Sequence, residues 1–229
     1  TCVVTPERFE SFIRSAQQIL QEKHNVIMPG WTDTIVQDFG GVGFVYLVEK
    51  DGKLFQLDLY VACLGHENIA KLESVPNKQE VFRSRRDKDG CDYTQMNYRL
   101  HKDKVDEVIK RINGVEDGPL RSMVELSVLG FMIKKCLKRD DHFVAASEFN
   151  MWKKSLIKLV RLQHDPELKD YGFYHVKRLQ DVVGDNGSFF ENISAISKAP
   201  LSYENFCQMH NFAMEFIRDT FPEIYKEHC

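Results

Sequence analysis

The chain has 229 residues, 43% hydrophobic and 28% charged, with 13 Gly and 7 Pro, a composition that excludes a disordered, collagenous or coiled-coil protein. Its 31 basic and 34 acidic residues leave a formal net charge of -3, so no general attraction to nucleic acid or to an anionic membrane is expected. No apolar run approaches the roughly 18 residues that cross a bilayer, and no charged N-terminal segment leads into an apolar one, so a membrane chain is not expected either.

Residues 1–4, Thr-Cys-Val-Val, read as the tail of a β-strand, and Thr5-Pro6 as a helix cap with proline in the first turn. Phe9, Phe12, Ile13, Ala16, Ile19 and Leu20 recur at three and four, which predicts a helix from Pro6 to Lys23 with one apolar stripe. Val42 to Glu49 and Lys53 to Val61 are rich in β-branched and aromatic residues and flank Asp51-Gly52, the pattern of a hairpin. In its second strand Phe55, Leu57, Leu59 and Val61 share one face, and Gln56, Asp58 and Tyr60 the other. From Lys71 to Lys104 the periodicity is poor and charges accumulate around Arg83 to Gly90, so this stretch reads as a loop or crossing segment. Helical pattern resumes near Lys104 to Ile112, breaks at Gly114 to Gly118, and restarts at Pro119.

Beyond that break the spacing predicts helices over about 119–138, 141–163, 166–183, 188–197 and, after a Ser202 cap, 202–220. Phe149, Trp152, Leu156 and Leu159 form a buried stripe on one of them, and Phe206, Met209, Phe212, Ala213, Phe216 and Ile217 on the last. The predicted fold class is α+β: an α/β domain over 1–115 followed by an all-α helical bundle over 116–229.

The six cysteines are scattered without a C-x-x-C pair and the eight histidines without an H-E-x-x-H spacing, which argues against a disulfide framework or a zinc site and fits a cytoplasmic protein. Gly40, Gly41 and Gly43 precede a strand rather than a helix, so they do not read as a phosphate loop. Asp58 stands out. An aspartate in mid-strand is disfavoured by β-propensity and desolvation, which leaves two readings: a ligand for magnesium, a hard cation that takes oxygen donors, or a residue on a wet face of the sheet.

The run from Phe39 to Val61, with Gly40-Gly41-Val42-Gly43 opening the first strand and Phe55-Gln56-Leu57-Asp58-Leu59-Tyr60 forming the second, resembles the second half of an antibiotic nucleotidyltransferase domain. It is most similar to the aminoglycoside 6-adenylyltransferases and the lincosamide nucleotidyltransferases, in which such a hairpin delivers the third metal-binding aspartate. The resemblance implies a nucleotidyltransferase-type mixed sheet with flanking helices, and Asp58 as a metal ligand. A second stretch, Glu125-Leu126-Ser127 through Lys134-Lys135-Cys136 to Asp140-Asp141 and on to Ala145-Ala146-Ser147-Glu148-Phe149-Asn150, resembles the helix–turn–helix that opens the helical domain of those enzymes. It implies Glu125 as general base and Lys135 as a nucleotide-binding lysine.

On a helix from Pro119, Glu125 shares a stripe with Leu129, Met132 and Cys136, with Arg121 one turn earlier. That placement suits either a base whose pKa is raised by apolar neighbours or an ion pair with Arg121. Lys135 is equally compatible with a solvated basic run. The family's Gly-Ser turn and Asp-x-Asp pair are not in this sequence: either they lie upstream of Thr1, the reading favoured because loss of central strands would leave apolar surface exposed, or this is a shortened relative that has lost catalysis. The implied function is transfer of AMP from ATP, with Mg2+, to a hydroxyl of a small antibiotic such as an aminoglycoside, in a cleft between the two domains. The partners are then that acceptor and a nucleoside triphosphate. The alternative is a non-catalytic nucleotidyltransferase-like binding protein, such as a toxin–antitoxin component.

Overall fold

The structure is a computed structural model and describes residues 1–28, 30–33, 40–69, 91–114, 118–164, 179, 191, 194 and 198–228. The fold is mixed α and β, and the chain divides into two compact units, Thr1–Glu116 and Asp117–Cys229.

In the first unit, β1 (Cys2–Val4) leads through a single 3-10 turn (Pro6–Arg8) into α1 (Phe9–Lys23). The helix expected from Pro6 therefore opens as a 3-10 turn, because Arg8 sits at φ -102, ψ -1 and passes into α geometry only at Phe9. Phe9 and Ile13 are buried, as the stripe requires, while Ile19 on the same stripe is 55% exposed. The sheet continues with β2 (Asn25–Val26), β3 (Trp31–Asp33), β4 (Gly41–Lys50) and β5 (Lys53–Cys63). Asp51 (φ 53) and Gly52 (φ 69) both adopt left-handed backbone, the requirement of the two-residue turn whose twist matches that of a hairpin.

The strand order is β1-β5-β4-β2, with β3 also on β4. β1 runs parallel to β5, and the other pairings are antiparallel. β4 is central, buried from Gly41 to Val48.

The unit closes with α2 (Cys91–Asn113), which corrects the reading of 91–104 as loop. Tyr98, Val105, Val108 and Ile109 pack from this helix onto Phe44, Tyr46 and Val61 of the sheet. The stripe is narrow, and Met96 and Leu100 lie outside it, 65% and 73% exposed. Apolar residues off the buried face blur the 3.6-residue period. The charged run Arg83 to Gly90 lies outside the described residues.

The described elements of the second unit are helices: α3 (Pro119–Leu137), α4 (His142–His164), α5 (Tyr203–Thr220) and α6 (Pro222–His228). Pro119 takes the first turn of α3, where its missing N–H is harmless. The Ser202 hydroxyl accepts the Asn205 N–H at 3.2 Å and caps α5. Trp152 of α4 is fully buried, with Phe149 and Phe206 at ring distances of 6.1 and 5.5 Å. His210 of α5 lies against α3 at Gly130, where a Cβ would stand 2.3 Å from the imidazole. The helices expected over 166–183 and 188–197 fall almost wholly outside the described residues. Among the described residues no helix is long and apolar enough to cross a membrane.

Candidate functional site

Three strands meet in one row at Asp33, Gly43 and Tyr60. In the ladder Asp33 of β3 stands opposite Gly43 of β4, and Gly43 opposite Tyr60 of β5. Side chains two residues apart share a face, so the next row on that face is Trp31, Val45 and Asp58, and Leu47 with Gln56 follows. The sequence thus delivers two carboxylates from non-adjacent strands to one side of the sheet.

Glycine at position 43 permits this arrangement. With no side chain on the central strand, the Tyr60 ring lies across it: a Cβ at Gly43 would come within 2.8 Å of Tyr60 Cδ1 and of the Asp33 carbonyl. The Tyr60 hydroxyl then donates to Asp33 Oδ2 at 2.8 Å. Burial pushes the Tyr60 phenol above its ordinary range, and the Asp33 hydrogen bond and the charges of Asp33 and Asp58 push the same way. Tyr60 is therefore a neutral donor at any physiological pH. Beside it, Gln56 Nε2 donates to Asp58 Oδ1 at 2.8 Å, and Asp58 itself is exposed.

Two carboxylates thus lie on one face, each accepting from a neutral donor, and carboxylate oxygens are the donor type that a hard cation such as magnesium takes. Among the described residues no group of three or more His, Cys, Asp or Glu is placed to hold a metal ion.

Asp58 belongs to the first unit, Glu125 and Lys135 to the second. Glu125 and Lys135 are half-buried on α3. Ten residues of helix separate them, about 15 Å along the axis, so the helix does not bring the two to one atom. On the same helix, burial lowers the pKa of Lys134, as does Lys138, against an opposing effect of Cys207.

Asp33 and Tyr60 are the residues of this face that sequence reasoning did not name as candidates. Tyr60 was visible as a polar-face partner of Asp58. Asp33 carried no signal, because a three-residue strand shows no period. No family model matches this chain, and no curated protein or solved structure matches it either.

Proposed function

We propose that the protein is a nucleotidyltransferase that transfers AMP from ATP to a hydroxyl of a small antibiotic such as an aminoglycoside. The observation that carries this reading is the pair Asp33 and Asp58 on one sheet face with the Tyr60 hydroxyl bonded to the first. The resemblance of the hairpin and of the start of α3 to antibiotic nucleotidyltransferases supports it.

In the reaction the acceptor oxygen attacks the α-phosphorus of ATP, a new P–O bond forms, and the bond to pyrophosphate breaks. Magnesium, when bound, neutralises charge on the triphosphate. Asp58 and Asp33 are the groups that would hold it. Tyr60 keeps the Asp33 carboxylate turned toward the middle of the sheet. Glu125 takes the proton of the acceptor hydroxyl in this scheme, and Lys135 meets a triphosphate oxygen as a point charge.

The test is a panel of aminoglycosides and lincosamides incubated with labelled ATP, magnesium and the protein expressed from its native gene. The expected result is an acceptor heavier by one nucleotide, with pyrophosphate released in equal amount. Nucleotide binding without transfer to any acceptor would replace this reading by the non-catalytic binding protein. Within an active protein, Glu125→Gln is expected to keep nucleotide affinity, to slow single turnover by roughly 100-fold to 10,000-fold, and to remove the acidic limb of the rate profile. An unchanged rate and limb would take the general-base role away from Glu125.

A further inference from the structure

A cavity of about 370 Å3 opens at one end of the first unit, lined by Gly40 and His66 at the strand ends and by Asp106, Lys110 and Asn113 of α2. None of the groups of the acidic row lines it. Asp106, Lys110 and Asn113 recur at four and three, so they form one stripe covering about 10 Å of helix axis.

The wall opposite in sequence is aromatic and fixed. Gly40 has φ +69, and a Cβ there would stand 2.0 Å from His66 Cγ, so the imidazole rests directly on backbone. Its Nδ1 accepts the Asn68 N–H at 3.1 Å, which leaves the ring proton on Nε2. Tyr98 meets the ring edge-on at 5.4 Å.

Asn113 supplies the recognition. Both polar atoms of its carboxamide are buried, and neither has a hydrogen-bond partner. Buried amides are almost always paired, so this one sits in an unfavourable state on the wall of a cavity. The amide has to turn about its side-chain torsions for both atoms to face a ligand in the cavity. A carboxamide sets an acceptor beside a donor, and its complement is a rigid planar edge with donor and acceptor side by side, as in the pairing of Asn with adenine N6 and N7. Asp106 already receives the Lys102 ammonium, but a carboxylate has about four acceptor positions, which leaves room for a sugar hydroxyl. The volume lies in the range of ligand sites for small molecules, roughly 300 to 1,000 Å3.

We propose that this cavity is a purine-nucleoside site, with the adenine N6/N7 edge on the Asn113 carboxamide and a ribose hydroxyl on Asp106. The proposal does not depend on nucleotidyl transfer, since it uses no residue of the acidic row. Titration calorimetry with adenosine and inosine, in the absence of magnesium, tests it on wild type, Asn113→Leu and Asn113→Asp. Saturable adenosine binding is expected, with inosine at least tenfold weaker because its O6 replaces the N6 donor by an acceptor. Either Asn113 variant is expected to weaken adenosine at least tenfold, the aspartate variant serving if the leucine variant misfolds. No adenosine binding, equal affinity for inosine, or affinity untouched by both Asn113 variants would overturn the site.

Discussion

Tyr60 and Asp58 share one face of β5 but differ in exposure and in hydrogen-bond partner. Asp58 is exposed and held by Gln56, so Asp58→Asn changes charge with almost no change of shape. In an active protein it is expected to abolish magnesium-dependent turnover while leaving the unfolding midpoint in place; activity within about tenfold of wild type, about 1.4 kcal/mol of barrier, would end its role as a ligand. Tyr60→Phe removes only the donor to Asp33. Its expected effect is smaller, a rise in the magnesium concentration needed for half-maximal rate, and an unchanged magnesium dependence would show that Asp33 stands without help. Asp58 was legible in the sequence because an acid in an alternating strand is a local anomaly. Asp33 was not, because its partnership exists only through the register of three strands.

At the scale of elements, the row Asp33–Gly43–Tyr60 depends on the middle strand having no side chain. Gly43→Ala sets a Cβ about 2.8 Å from the Asp33 carbonyl and from the Tyr60 ring by the glycine geometry. Overpacking of this kind typically costs 1–3 kcal/mol. Chemical denaturation should show a lower midpoint at unchanged slope, and activity should fall with it if Tyr60 is displaced; a midpoint equal to wild type would mean that the strands simply spread. The β4–β5 hairpin was readable because Asp51-Gly52 and two alternating strands are local signals. β2 and β3 were not, since strands of two and three residues are selected by the open edge of β4 rather than by their own composition. α2 was half readable: its charged positions and its exposed Met96 and Leu100 concealed a buried stripe whose period emerges only against the sheet.

For the molecule as a whole, the half-buried imidazole of His210 ties stability to pH. Burial, with the nearby Lys134 charge, lowers its pKa from 6.5 to about 3. The folded state therefore keeps the ring neutral while the unfolded chain takes up a proton below 6.5. The stability contributed is fully present above pH 6.5 and is lost as pH falls from there toward 3, at no more than about 1.4 kcal/mol per pH unit. Urea unfolding at pH 7.5 and 5.0 should show a larger acid loss for wild type than for His210→Gln; equal losses would assign the acid sensitivity to other groups. Protection of the backbone should be just as uneven. β4 is hydrogen-bonded to β5 along one edge, and on the other to β3 at Gly43–Val45 and to β2 at Val48–Glu49, whereas β1 has three residues paired to β5. Deuterium should therefore enter the sheet from its margins inward, and the amides of β4 should exchange only when the whole unit opens.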